Sequence, residues 1–529
     1  MRLTQKEIED CLRVLESLAA ERALLLDVDE SLRHRLLVAA GRVSRPERDE
    51  QRHLLRAARR KDRRVAREHD QALLERAAIR QKRLEPVFTT PSPAELTAAA
   101  GGTWSTSEAE QSGARAAASS LEAERELFVP RACYVCKTRI TKVHSFYDQM
   151  CFECGDFNYR KRTQTADLRG RVALISGARV KIGYQAAIML LRAGARVLVT
   201  TRFPRDAALR YAREPDYVDW ADRLQVYGLD LRHTPSVEVF AQRLGETESR
   251  LDFVLHNACQ TVRRPTGFYQ HLMEQELLPH AEVPESARKL LGAYEALRSD
   301  LARAMGAGGP TGTSLGAPDQ QLPLFPVGLQ AASALSQVAL AEEDRHGGGQ
   351  LFPSGRLDAD LQQVDLRELN SWRLPLDRVG TVELLEVQLV NAIAPFVLNA
   401  KLKPLMLRER SFDKHIVNVS AMEGQFYRRF KTDKHPHTNM AKAALNMMTR
   451  TSAIDYARDG IFMNSVDTGW VTDEDPLHIA RRKTEECGFH PPLDIVDGAA
   501  RIVDPIFDGI GSGKHVWGQF LKDYRPAAW

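Results

Sequence analysis

From Leu168 to the C-terminus, short apolar runs (RVALIS, RVLVTT, LQVYGL, LDFVLH, HIVNVS) alternate with longer helical stretches. The runs are continuously apolar rather than alternating, which predicts strands buried on both faces and joined by crossover helices. Such a chain folds as an α/β domain with a doubly wound parallel sheet of about seven strands. The pattern breaks once, over about 266–376, where a helix-like piece (ESARKLLGAYEALRSDLARAM) and two Gly-rich stretches intervene. Segments of that length without a strand pattern serve as lids or binding elements. Because this insert leaves after the fourth strand, beside the strand ends that carry ligands, it is expected to form a lid or substrate wall.

The first apolar run leads into Ser176-Gly177-Ala178-Arg179-Val180-Lys181-Ile182-Gly183 and then a helical stretch. A strand, a glycine turn and a helix N-terminus present free backbone N–H groups and a favourable dipole to a pyrophosphate. The second run ends in Thr200-Thr201-Arg202, where NAD sites usually place a carboxylate for the ribose 2′-hydroxyl. A guanidinium there, helped by Arg179 or Lys181, suits a 2′-phosphate, so NADP is expected ahead of NAD.

N-terminal to this domain, Cys133-x2-Cys136 and Cys151-x2-Cys154 are separated by fourteen residues. Two such pairs match a closed four-thiolate zinc site, with structural rather than catalytic zinc implied. A redox reading of the pairs would need a thioredoxin-like context that RACYVCKT and MCFECGDF do not supply. His144, between the pairs, could replace a thiolate, but with four cysteines present it is expected to be a surface or packing residue. Cations (Arg131, Lys137, Arg139, Lys142, Arg160–Arg162) interleave with Tyr134, Phe146, Tyr147 and Phe152, which fits either a nucleic-acid contact or a small domain docked on its neighbour.

Residues 1–85 read as a helical hairpin or coiled coil. Thr4-x-x-Glu7 and Ser44-x-x-Glu47 resemble capping boxes, and Ile8, Leu12, Leu15 and Leu18 recur at helical spacing as an expected buried stripe. The stretch ARRKDRRVARE is either a partner-binding or a solvated face. Residues 86–127 read as a Ser/Ala/Gly-rich linker, 128–163 as the zinc module and 164–529 as the α/β domain. The net charge of +4, 43% hydrophobic and 27% charged content describe an ordinary globular chain with no general nucleic-acid character. No uninterrupted apolar run approaches the roughly 20 residues of a membrane span, and the N-terminus resembles neither a signal nor a transit peptide, so no membrane partner and a cytoplasmic location are expected.

Taken in order, the motifs from about 168 to 529 resemble the short-chain dehydrogenase/reductase family. Gly177 and Gly183 match the first and last glycines of its TGxxxGxG turn, with Ser176 in the Thr place. Asp230 matches its adenine-contacting acid, and His256-Asn257-Ala258-Cys259 its NNAG element. Asn391 matches the helix asparagine of its proton relay, Ser420 the active-site serine, and Lys442 the active-site lysine. The stretch Asn464–Thr472, with Gly469 and Thr472, resembles its nicotinamide-flanking segment. The resemblance implies a Rossmann-type sheet, a nicotinamide cofactor, a small-molecule substrate and a homo-oligomer.

Two positions depart from it. Lys181 replaces the middle glycine of the turn, which implies an adjusted turn or a direct phosphate contact. Thr438 stands where the family has its acid/base tyrosine, and an aliphatic alcohol is a poor proton donor at neutral pH. An enoyl-reductase branch places its tyrosine seven residues before the lysine, which here is His435; Tyr427 lies on the loop after Ser420. Two functions fit: an NADP-dependent oxidoreductase with an atypical proton donor, or a cofactor-binding regulator or scaffold that engages protein or nucleic acid through its N-terminal helices and zinc module.

Overall fold

The computed structural model describes residues 3–100, 126–306, 326–345, 348–427 and 431–529. Most of the expected linker and the Gly/Pro-rich loop of the insert lie outside them. The chain forms two compact units, Met1–Asp70 and Gln71–Trp529.

In the first unit, helices span Gln5–Ala20, Glu30–Ser44 and, running on into the second unit, Arg48–Glu75. Thr4 and Glu7 form the expected capping box. Ser44 instead ends a helix, its hydroxyl donating to Gly41 O at 3.2 Å, because the chain turns before a new helix starts at Arg48. The expected buried stripe is also corrected: Ile8 is 55% and Leu12 53% exposed.

Among the described residues, the second unit has ten strands: β1 (Glu126–Ala132), β2 (Arg139–Lys142), β3 (Val172–Ser176), β4 (Arg196–Thr201), β5 (Leu224–Gly228), β6 (Phe253–His256), β7 (Lys414–Ser420), β8 (Ile461–Asp467), β9 (Phe520–Lys522) and β10 (Arg525–Ala527). β1 and β2 form an antiparallel ribbon, and the other eight form one sheet in the order β10-β9-β8-β7-β6-β3-β4-β5. Every pairing in that sheet is parallel except β9–β10. The expected seven parallel strands are present, closed at one edge by an antiparallel eighth. All of β3 and β7 is buried, as continuous apolar runs require. The order reverses between β3 and β6, and there the carboxyl ends of neighbouring strands part into a crevice.

The insert does more than cover the strand ends. Its helix Glu285–Gly306 packs on β5 and sends Leu290, Leu291 and Tyr294 into the main core. The helical stretch Thr381–Met406 has the length and apolar composition of a membrane span, yet Leu398, Leu402, Leu405 and Met406 are buried in the core beside the sheet. The cysteine-bearing segment is docked: the helix Phe152–Arg162 packs on Ile495–Ser512. There the buried Arg162 guanidinium meets Asp494 at 2.6 Å and Asp497 at 2.9 Å.

Candidate active site

A cleft of about 1090 Å³ opens at the strand reversal. Its floor is the turn after β3. Gly177 has φ +71, and a Cβ there would stand 2.6 Å from Ala258 Cα. A Cβ on Gly183 would stand 2.3 Å from Asn257 Nδ2. Both positions therefore need glycine because the segment after β6 presses on the turn. Asn257 Nδ2 donates to Gly177 O at 2.8 Å, and Ala258 N–H donates to Ser176 Oγ at 3.2 Å, which ties the two segments together. The helix Lys181–Arg192 starts here, with Ile182 partly buried beneath it.

Lys181 takes φ +57, so the chain keeps the left-handed turn that glycine would supply and carries a side chain through it. Its ammonium lies 4.0 Å from Asp360 of the insert. Burial lowers the pKa of that ammonium, but Asp360, Glu474 and Asp358 outweigh burial and raise it, so it is a firmly charged cation. Elsewhere in the cleft, the Arg202 guanidinium lies 4.5 Å from the Tyr269 ring centroid, and its Nη2 donates to the hydroxyl of the same Tyr269 at 2.6 Å. Arg179 donates to Asp206 at 2.7 Å and to Gln362 at 3.1 Å. Asp230 is buried and receives the Arg232 guanidinium at 2.7 Å.

The opposite wall comes from β7, β8 and the helix Pro436–Arg458. Ser420 ends β7 in register with Asp467, the last residue of β8. Ser420 Oγ is buried and has no hydrogen-bond partner among the described residues. Lys442 Nζ donates to Val419 O at 2.8 Å, which fixes the ammonium beside the serine. Asp467 accepts from Gly469 N–H at 3.2 Å and Lys522 Nζ at 3.3 Å, while burial pushes its carboxyl up. Thr472 donates to Glu474 at 3.1 Å. Asn391 sits in a π-helical turn, Leu389–Ile393, and its amide clamps the backbone of Gln260, accepting from its N–H and donating to its carbonyl, both at 2.9 Å.

Residues 375–486 match the family described as Enoyl-(Acyl carrier protein) reductase. The uncharacterized protein R665 of Acanthamoeba polyphaga mimivirus is 31% identical over 388 residues, covering 71% of each chain. Dehydrogenase/reductase SDR family member 13 of Bos taurus is 36% identical over 104 residues, covering 19% of this chain and 27% of that protein. The chain belongs to the short-chain dehydrogenase/reductase family. Among solved structures, carbonyl reductase Sniffer of Drosophila melanogaster is similar at 14% identity and a TM-score of 0.39, covering 68% of this chain and 100% of that one.

In this short-chain dehydrogenase/reductase, the acid/base position is remodelled. Thr438 lines the cleft at the usual tyrosine place, but its hydroxyl donates to Thr261 O at 3.1 Å. His435 also lines the cleft, at the N-cap of the same helix with φ +43, its ring stacked on insert residue Trp372 at 4.0 Å and 3°. His437 is buried 3.7 Å from Glu383 and lies outside the cleft wall. Tyr427 is 88% exposed and is not among the residues lining the cleft.

The four cysteine sulfurs lie within 4.8 Å of one another, with Cys136 and Cys151 Sγ 3.7 Å apart. A tetrahedral zinc with Zn–S of about 2.3 Å requires neighbouring sulfurs roughly 3.8 Å apart, so the donor set fits that ion. Hydrogen bonds from Thr138 hold the Cys136 thiol down to about 6, which favours a thiolate ligand. His144 is not a fifth ligand: its Nδ1 accepts from Phe146 and Tyr147 N–H at 3.0 and 3.1 Å. Phe146 and Tyr147, named above with the nucleic-acid reading, are buried. Tyr134 and Lys137 from this segment line the cleft. The sequence carries no signal for that placement, because it joins positions 336 residues apart.

Proposed function

We propose that the chain is an NADP(H)-dependent oxidoreductase that interconverts a carbonyl, or an activated double bond, with its reduced form. The observation that carries this reading is the buried, unpartnered Ser420 hydroxyl beside the fixed Lys442 ammonium, in a cleft whose glycine turn would be filled by any Cβ. When bound, the dinucleotide supplies or accepts hydride at the nicotinamide C4. Ser420 Oγ–H donates to the substrate oxygen and holds it as negative charge develops there. Lys442 binds the nicotinamide ribose and shapes the field. His435 delivers the proton that completes reduction, its ring oriented by Trp372; an imidazole titrates near neutrality, as a proton donor at this point must. Asn391 anchors the backbone of Gln260 in the loop after β6, where that loop frames the relay.

The pyrophosphate rests on the turn Ser176–Gly183, and Arg202 receives the 2′-phosphate, supported by the Tyr269 ring. Asp230, Asn257, Ala258, Gly469 and Thr472 line the remaining cofactor path. A structural zinc fills the cysteine cluster. We place the chain in a thiol-reducing compartment, the cytoplasm, as a homo-oligomer acting on a small molecule.

The hydroxyl of Thr438 being tied to Thr261 favours the second reading, a dinucleotide-binding regulator or scaffold without turnover. The discriminating experiment follows NADPH fluorescence and oxidation over a panel of carbonyls and enones. The enzyme reading expects turnover that falls about 100-fold or more in Ser420→Ala and His435→Ala while NADPH affinity holds. Tight NADPH binding with no turnover on any compound supports the regulator. Turnover lost in Tyr427→Phe but kept in His435→Ala would move the donor to Tyr427.

A further inference from the structure

The cysteine knuckle and the dinucleotide cleft share side chains. Within the turn Cys133–Cys136, Cys133 N–H donates to Thr138 O at 2.8 Å and Lys137 N–H donates to Cys133 O at 3.2 Å. Cys151 N–H points at Cys133 Sγ from 3.4 Å, so the two knuckles brace each other through the sulfurs. Tyr134, one residue after a sulfur ligand, reaches out of this turn. Its N–H donates to Gln149 O at 2.7 Å, and its phenolic oxygen accepts from Trp470 N–H at 3.1 Å. Trp470 follows Gly469, whose φ is +75 and whose Cβ, if present, would stand 3.1 Å from that same oxygen.

The packing repeats the connection. Cys133 shares a small apolar core with Val471, Leu493 and Val496, and Ile182 of the phosphate turn packs against it. A knuckle that lost its geometry would loosen two cofactor-facing segments together. Lys137, with its ammonium 5.3 Å from the Tyr134 ring centroid, completes this wall at the cleft mouth.

We infer that the four-cysteine knuckle is a functional wall of the dinucleotide cleft, so that a divalent metal on the cysteines and NADP(H) in the cleft each tighten the other through Tyr134. The inference rests on the dinucleotide reading above. Linkage makes the effect reciprocal: the factor by which metal strengthens nucleotide binding equals the factor by which nucleotide strengthens metal retention.

The test uses the zinc-loaded chain of residues 1–529. A chromogenic chelator is titrated with and without saturating NADPH, and the chelator concentration that removes half the zinc is read. NADPH is expected to raise that midpoint about fivefold or more, within the usual range of coupling between sites. Tyr134→Phe keeps the ring and the four thiolates but deletes the acceptor for Trp470 N–H. It should retain one zinc per chain and bring the NADPH-induced shift to within about twofold of none. If Tyr134→Phe keeps the full shift, metal and nucleotide are linked only through global folding and the inference is overturned. NADPH binding with zinc retention unmoved overturns the coupling alone. No NADPH binding to fully zinc-loaded protein overturns the dinucleotide reading and the coupling with it.

Discussion

Lys181 shows how one residue can follow a family's backbone and depart from its chemistry. Glycine there would relieve a left-handed strain of about 1 kcal/mol. It would also remove the cation facing Asp358, Asp360 and Glu474. Burial works to raise the Glu474 carboxyl, yet Lys181 and Arg264 hold it below the usual range. Removing one partner of a buried ion pair costs about 3–5 kcal/mol; the partial exposure of Lys181 and the Arg264 that remains beside Glu474 reduce this, but the charge effect still exceeds the strain effect. Lys181→Gly is therefore expected to lower the thermal midpoint at pH 7 and to recover or exceed the wild-type value near pH 4, where the carboxylates take up protons. A higher midpoint at pH 7 would show that backbone strain dominates. The turn containing Lys181 was legible because its motif is local. The hydrogen bond from Thr438 to Thr261, spanning 177 residues, was not, because no pattern along the chain reports which carbonyl a distant hydroxyl meets.

At the scale of elements, the insert helix Thr266–Glu276 carries a pH-sensitive joint. Glu276 is buried and accepts from Asp206 N–H at 2.8 Å, and burial pushes its carboxyl up to about 8. The unfolded chain releases this proton near pH 4.5 while the folded chain keeps it to about pH 8. Stability therefore falls as pH rises across that window, by a few kcal/mol at about 1.4 kcal/mol per pH unit. Glu276→Gln preserves the acceptor and removes the charge. Its thermal midpoint should exceed the wild type by several degrees at pH 8 and converge with it near pH 4.5; equal midpoints at pH 8 would place the carboxylate in a solvated setting. The strands β3 to β7 were readable as continuous apolar runs. The helix Glu285–Gly306 was readable as a helix but not as a core element, since its apolar face matches any amphipathic helix until β5 is found beneath it.

For the whole molecule, Leu385, Phe396, Met447 and Ile454 leave more than half of their surface exposed on the stretch Thr381–Met406 and the helix Pro436–Arg458. Large apolar side chains on neighbouring long helices are expected to be covered by a second copy. Light scattering should give a dimer, and Phe396→Glu with Met447→Glu should reduce it to a monomer; a wild-type monomer at micromolar concentration would refute the pairing. Composition and cysteine spacing suggested a helical region, a linker, a cysteine module and an α/β domain in that order. The docking of the cysteine module on the α/β domain was not legible, because Arg162 and its partner Asp494 lie 332 residues apart in the chain. That sheet also sets a schedule. β6 ends at His256 and its neighbour β7 begins at Lys414, so a ribosome adding about 5–20 residues per second leaves the edge of β6 open for roughly 10–30 s. During synthesis this protein is a half-sheet waiting for its other half, and the insert helix that covers β5 shields only the far side of it.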